Sequence, residues 1–397
     1  MCYSVLIMYK LVLLIAIFMV TYCSIVSAES EWTLVGDFKV TSAGGVYATD
    51  ANTCYTAYTD NDIGPGEYLT KDAGNTYTTS FGGSLNTDVA KDTAGNGIMT
   101  SIGKILISTN GVIKHVEGKA ITFSQDVENL GENTFAVAGQ HYPEGITGSF
   151  KNGPAITTDA GQTFNYFDTG LDGIEFAARY GAYPSDKTWY IAQGSWVTAG
   201  YAKNFPNANS TEIEVQKYMK SWEVNEHVRV HKIGNNKHKV EVSSPKGKTI
   251  RYGAISKTTD GGKTFKKVYD TKGEAYMNQI SCSSTEICTA IASNPDSPKV
   301  IRTDNGGATW TTIMTAPQSN TDVSLMGAKM LSDDEIWISG GTFQQGTLGW
   351  FFHSTDAGKT WKQYDLPQGY SIDLSFAGGS GYSPAMTETG SGMAVFK

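Results

Sequence analysis

Beyond its first thirty residues, the chain carries apolar positions in short runs separated by polar, glycine-rich stretches, and long apolar runs are few. Glycine occurs 44 times beside abundant Thr, Tyr and Val, a composition that favours short strands joined by tight turns. Runs such as "TWYIAQGSW" (188–196) and "TIRYGAIS" (249–256) predict strands, with a further strand over 174–180. The C-terminal stretches "SIDLSFAGG", "YSPAMTE" and "GMAVFK" predict three more, and "EWTLVGDF" predicts one near the start. Two segments between 197 and 248 read differently. Thr211 with Glu214 fits a capping box, and Val215, Tyr218, Met219 and Trp222 follow at helical spacing. "HVRVHKIGNNKHKVEV" (227–242) alternates about Gly234-Asn235-Asn236 and predicts a hairpin.

Superimposed on this pattern is an internal repeat. "TKDAGNTY" (70–77), "TTDAGQTF" (157–164), "TTDGGKTF" (258–265), "TDNGGATW" (303–310) and "STDAGKTW" (354–361) share Ser/Thr-x-Asp-x-Gly-x-Thr-aromatic, centred on Asp72, Asp159, Asp260, Asn305 and Asp356. The Asp side chain can accept bonds from the turn's own amides, Gly supplies backbone freedom, and the aromatic packs between sheets. The segments resemble the Asp-box, or BNR repeat, of sialidases, sortilin lumenal domains and photosystem II assembly factors. That resemblance implies an all-β propeller in which the boxes are structural.

The intervals count the blades. Asp72 to Asp159 leaves room for two, with a degenerate turn "STNGVIKHV" (108–116) between them, and the two intervals after Asp260 hold one each. The longer interval from Asp159 to Asp260 is read as one blade with an insertion at about 197–248, because the inner strands of a spare blade are missing there. The three C-terminal strands lack a fourth, which Trp32-Thr33 supplies. The expected fold is a seven-bladed β-propeller, residues 29–397, with the N-terminal strand closing the last blade and removing a free edge.

The chain's first 28 residues read as a secretory signal peptide: Lys10, the apolar run Leu11–Val20, then Val26-Ser27-Ala28 before the cut. The run is short for a membrane span, and a secreted or extracellular location is expected. Cleavage leaves Cys54, Cys282 and Cys288. The last two, six apart in "ISCSSTEICTA", suit a disulfide across a turn, and Cys54 reads as a buried small hydrophobe. Asn209-Ser210-Thr211 is a glycosylation sequon. The net charge of −8 argues against a nucleic-acid binder, and no cysteine–histidine cluster has zinc spacing.

A sialidase would need an arginine triad. The arginines here are Arg179, Arg229, Arg251 and Arg302, with no Phe/Tyr-Arg-Ile-Pro motif, so sialidase activity is not expected. Asp50, Asp92, Asp126, Asp186, Glu286 and Asp333 are read as caps of the turn between first and second strands. A hydrolase using two other carboxylates, such as Asp60 or Glu144, stays open. The resemblance to photosystem II assembly factors and their secreted relatives covers nearly the whole mature chain, includes the Cys282–Cys288 strand pair, and implies a binding role.

Ligand contacts are expected opposite the repeat turns, around the channel. The segment 201–251 carries ten Lys/Arg against five Asp/Glu, which suits an anionic partner. The candidate contacts are His141, Tyr142, Glu144, Tyr183, Trp196, Arg229, Lys237, Lys239, Tyr276 and Tyr370. Asp60, Asp62 and Glu67 form a weak calcium candidate. The expected function is a monomeric, non-catalytic binding platform for a protein or glycan, without a cofactor or other metal. The alternatives are a glycoside hydrolase and a structural surface protein.

Overall fold

The computed structural model describes residues 32–38, 42–59, 65–82, 86–101, 104–109, 112–116, 121–141, 151–171, 176–197, 202–204, 228–234, 237–242, 250–294, 297–316, 323–342, 349–366, 369–387 and 390–397. Among them there is no α-helix, and no helix is long and apolar enough to cross a membrane. The proposed signal peptide, the Thr211–Trp222 helix, Asn209, Asp60, Asp62, Tyr142 and Glu144 lie outside the described residues.

The chain enters with β1 (Trp32–Phe38). Blade one is β2 (Ser42–Ala48), β3 (Cys54–Thr59), β4 (Gly66–Thr70) and β5 (Thr78–Phe81). Blade two is β6 (Asn86–Lys91), β7 (Gly97–Ser101), β8 (Lys104–Thr109) and β9 (Val112–Val116). Blade three is β10 (Ile121–Gly131), β11 (Thr134–His141), β12 (Lys151–Thr157) and β13 (Asn165–Tyr166). Blade four begins with β14 (Ala178–Ala182) and β15 (Trp189–Val197). The chain then leaves for a separate sheet of β16 (Ala202–Asn204), β17 (Val228–Gly234) and β18 (Lys237–Val242), ordered β16-β18-β17. It returns as β19 (Ile250–Thr258) and β20 (Lys266–Asp270). The expected hairpin of 227–242 is β17 and β18, whose ladder runs from Val228 opposite Val242 to Gly234 opposite Lys237.

Blade five is β21 (Tyr276–Cys282), β22 (Cys288–Ser293), β23 (Lys299–Thr303) and β24 (Thr311–Thr315). Blade six is β25 (Val323–Met330), β26 (Ile336–Thr342), β27 (Gly349–Ser354) and β28 (Lys362–Leu366). In blade seven the innermost position is divided between β29 (Tyr370–Ser371) and β30 (Ser375–Ala377). β31 (Ser380–Thr387) and β32 (Gly390–Phe396) follow, and β1 pairs with β32 as the outer strand. The protein is therefore a seven-bladed β-propeller closed by its N-terminal strand. Trp32 is the lock: it is 1% exposed and stacks on Phe351 of blade six at 3.7 Å between ring centroids.

The core lies in the joints. Each pair of neighbouring blades encloses one apolar cluster, for example Ala182, Tyr190 and Ile255 of blade four against Met277, Ile280 and Ala290 of blade five. Cys54 belongs to the cluster joining blades seven and one, where burial pushes its thiol pKa up. Cys282 and Cys288 form a disulfide across the β21–β22 turn.

The five repeat turns explain this regularity. In Thr258–Phe265, Asp260 Oδ1 accepts the Thr264 amide at 3.0 Å, and Oδ2 accepts its hydroxyl at 2.6 Å. Thr258 Oγ1 donates to Asp260 and accepts the Gly262 amide. Asn305 keeps the geometry by donating from Nδ2 to Thr309 Oγ1 at 2.8 Å, with Oδ1 accepting the Thr309 amide. The bonds hold Asp159, Asp260 and Asp356 down at a pKa of about 2. The second glycine approaches the preceding blade: a Cβ on Gly262 (φ +83°) would sit 2.4 Å from Phe167 Cδ1. The turn aromatics Tyr77, Phe164, Phe265, Trp310 and Trp361 pack into the joint with the preceding blade.

Candidate functional site

The innermost strands line a central channel, and most of them carry a bulge at the same level. A bulge bends its strand and re-aims the side chains beside it, here toward the neighbouring blade. The residues at this level are Gly45, Asp88, Asp126, Tyr180, Gln279, Gly327 and Asp373 in blades one to seven. Four of them reach the next blade's backbone. Asp373 Oδ2 accepts the Val46 amide at 3.1 Å, Asp88 Oδ2 that of Val127 at 2.8 Å, and Asp126 Oδ2 that of Gly181 at 2.8 Å. Gln279 accepts the Ala328 amide and donates to Asp373 Oδ1 at 2.9 Å. Each bonded amide belongs to the residue just after the aligned one. Gly45 leaves the space that Asp88 fills, because a Cβ there would lie 1.7 Å from Asp88 Oδ1.

Asp126 therefore corrects the sequence reading. It sits inside β10, five residues before the strand ends at Gly131, and staples blade three to blade four. Asp50 and Asp92 do cap their turns, accepting the amides of Asn52 and Thr53 and of Ala94 and Asn96.

Three buried carboxylates thus share one level of the channel. Burial raises the pKa of Asp88 and Asp126 well above the ordinary value. The Asp373 and Asp126 charges add to the effect at Asp88, and Glu128 adds to it at Asp126. Burial also raises Asp373, against the bond from Gln279. Toward the repeat-turn end stand Lys329 and Glu128, 3.9 Å apart. Glu128 is the main cause of the raised Lys329 pKa. The cavity they line with Tyr47 and Ser375 is about 50 Å³, room for a water or two and not for a sugar ring. Among the described residues no group of acids, histidines or cysteines is arranged to hold a metal ion.

The opposite end of the channel is where the innermost strands begin and where β15 departs toward the inserted sheet. Arg179 lies here, 8% exposed. Its guanidinium stands 5.0 Å from the Tyr276 ring centre, and Nη2 donates to Asn278 Oδ1 at 3.4 Å. Asn278 in turn donates to the Leu325 carbonyl of blade six. Tyr370 is buried beside Ser324, with burial raising its hydroxyl pKa. Tyr276 and Tyr370 thus stand at the channel end expected from the strand order.

Other candidates fall elsewhere. Tyr183 follows β14 at the repeat-turn end and packs on Trp189 in the joint of blades three and four, which removes it from the insertion end. The strand order there had suggested the mouth, but the side chain turns into the joint. His141 ends β11, 2% exposed, with its ring 5.1 Å from Tyr166, and burial lowers its pKa to about 4. Trp196 lies in β15, Arg229 in β17, and Lys237 and Lys239 in β18. Of the calcium candidate only Glu67 is among the described residues; it is buried in β4 and pairs with Lys91 of blade two at 2.7 Å. A shallow cleft of about 490 Å³ opens between blades four and five, lined by Lys257, Lys266, Lys267 and Gly306–Ala308. Lys257 there bonds the Gly306 carbonyl, and Lys267 pairs with Asp270.

Sequence reasoning missed Asp88, Asp373, Gln279, Lys329 and the placement of Arg179. The class of protein these observations define is a seven-bladed propeller with a stapled, narrow channel and an irregular fourth blade. No protein-family model matches the sequence, and no curated protein matches it. Solved structures share the architecture. YCF48 bound to a D1 peptide is 12% identical, covering 93% of this chain and 96% of that one, with a TM-score of 0.56. U3-55K is 10% identical, covering 92% and 98%, with a TM-score of 0.54. An ulvan lyase from a polysaccharide lyase family, bound to a saccharide containing GlcA, is 10% identical over 91% and 95%, with a TM-score of 0.51. At these identities the likeness is one of fold.

Proposed function

We propose that the protein is a secreted, monomeric, non-catalytic binding platform of the Asp-box type, taking a protein or glycan at the insertion end of its channel. The observation that carries this reading is the contrast between the channel's interior and that end. Inside, Asp88, Asp126 and Asp373 are occupied in stapling blades around about 50 Å³ of space, which leaves no room for a substrate. At the insertion end, the strand starts bring Arg179, Tyr276, Asn278 and Tyr370 together near the departure of β15, a largely buried cationic and aromatic cluster that supports recognition there. Propellers of this architecture hold a peptide in YCF48 and a saccharide in the ulvan lyase, so either ligand suits the scaffold. The basic insertion supplies specificity in this reading, and Asn209 carries a glycan.

The raised carboxylates are the one observation that favours a glycoside hydrolase, since a general acid needs such a pKa. A screen of the mature protein against glycan and peptide arrays, with hydrolysis read on every hit, separates the two. Binding without turnover, weakened by neutralising Lys237 and Lys239, supports the platform. Turnover refutes it.

A further inference from the structure

We propose that Arg179 is the anchor for a ligand carboxylate at the insertion end of the channel. The inference rests on reading that end as a binding face, and it adds the chemical group that is recognised.

An arginine stays protonated in any folded environment, so Arg179 brings a full positive charge into a site that is 92% buried by its 8% exposure. Buried charges are ordinarily paired, because removing them from water costs more than a neutral hydrogen bond returns. Arg302 shows how this chain meets that need. Similarly buried, it pairs with Asp304 at 2.6 Å and bonds the Asp333 carbonyl. Arg179 has no such partner among the described residues. Among the described residues no carboxylate lies within ion-pair distance of it, Nε has no hydrogen-bond acceptor, and the bond to Asn278 is long at 3.4 Å.

Nε–H and the neighbouring Nη2 form the edge of the guanidinium that takes a carboxylate through two parallel bonds. One of these donors is free, and the other is held only loosely. The Tyr276 ring, its centre 5.0 Å from the guanidinium, helps to hold the orientation of that group before a ligand arrives.

The acids that could have neutralised Arg179 are committed one level down: Asp126 to Gly181, Asp88 to Val127, and Asp373 to Val46 and Gln279. Arg179 is also the one arginine placed on an innermost strand. Arg251 and Arg302 lie on third strands, and Arg229 lies in the inserted sheet. A site as enclosed as that of Arg179, 8% exposed, takes a single group end-on. A free small acid and the C-terminus of a peptide chain both present a carboxylate in that way.

The test uses the full mature chain. Thermal unfolding is followed with sodium acetate against sodium chloride at equal ionic strength, and with triglycine bearing either a free or an amidated C-terminus. The expected result is a rise in Tm with acetate or with free-acid triglycine, and none with the amidated peptide. A response to acetate identifies a small acid as sufficient, and a response to free triglycine alone identifies a chain end. Arg179→Met, similar in length and uncharged, should weaken the effective probe on the order of 10- to 100-fold while leaving the unliganded Tm unchanged or higher. Absence of any carboxylate-specific shift in the wild-type chain overturns the proposal without recourse to a variant. So does an Arg179→Met chain that responds like wild type. If that variant also binds array hits normally, the anchor fails and the platform survives.

Discussion

Replacing Asp126 with asparagine tests whether the channel aspartates are held as acids or as charges. The asparagine carbonyl can still accept the Gly181 amide that Asp126 Oδ2 now holds at 2.8 Å, so the staple is retained and the charge is removed. In the folded chain Asp88, Asp126 and Asp373 all have raised pKa values, with burial the largest cause in each. An acid whose folded pKa is raised favours folding fully below its unfolded pKa of about 3.9, and loses that contribution as pH climbs through the folded value. Each proton kept by the native ring and released by the unfolded chain therefore tilts stability downward by about 1.4 kcal/mol per pH unit.

Asp126→Asn removes one such group. The variant should match or fall slightly below wild type at pH 4.5 and exceed it at pH 7. Its stability should decline less steeply between those values, by up to about 1.4 kcal/mol per pH unit. Urea unfolding followed by tryptophan fluorescence at half-unit pH steps gives the slopes. His141, lowered to about 4 by burial, acts in the opposite sense, because its contribution is lost as pH falls from about 6.5. It is common to both chains and cancels in the difference. Depressed repeat-turn aspartates act below pH 4, and Lys329, with its raised pKa, acts at alkaline pH, so both fall outside the window. A variant less stable at pH 7 with the wild-type slope would refute the reasoning. It would mean that Asp126 is ionised and that its charge, balanced by Lys329, supports the ring.

Three further outcomes follow from the joints and turns. Asp260→Asn should keep a folded repeat turn, because Asn305 already makes the same bonds with an amide, whereas Asp260→Ala should lower the Tm measurably in a differential scan. Glu67→Gln should cost about 3–5 kcal/mol in urea unfolding by stranding Lys91, whose ammonium is 2% exposed and 2.7 Å from Glu67, and a Glu67→Leu/Lys91→Met double variant should recover most of the loss. Trp32→Ala should cost about 3–5 kcal/mol, since it empties the stack on Phe351 and loosens β1 from β32; unchanged unfolding would mean that the ring closes without it.

The repeat turns were legible because their chemistry is local. Asp260 bonds residues two before and four after it, so the motif states the whole interaction, and the blade count follows from the spacing. The staples are the opposite case. Asp88 meets Val127, Asp126 meets Gly181, and Asp373 meets Val46 across the closure of the ring, and nothing adjacent in sequence marks the partner. Asp126 resembled a turn cap because acids cap the equivalent turns of blades one and two, while in blade three the strand runs on to Gly131; in blades four to six Ser185, Ser284 and Ser332 accept the turn amides in place of the expected Asp186, Glu286 and Asp333. A signal did exist: Asp88 follows Asp72, and Asp373 follows Asp356, at almost the same remove. Aligning blades on their repeat turns would have placed both residues at one level.

That alignment also shows where the protein departs from its own pattern. At the stapling level blades one and six carry glycine, blades two, three, five and seven carry an acceptor, and blade four carries Tyr180 preceded by Arg179. Among the described residues no blade-four acceptor bonds a blade-five innermost amide, and the joint is spanned instead by Arg179 to Asn278 and by Lys257 to the Gly306 carbonyl. The same blade carries the inserted sheet, and the same joint opens into the lysine-lined cleft. A ring held by repetition has little structural reason to place in one blade a buried cation with no ion-pair partner among the described residues, and to interrupt that blade with some fifty residues. The proposed ligand would give the two departures on this blade a single cause, which is why Arg179 is the first residue to change.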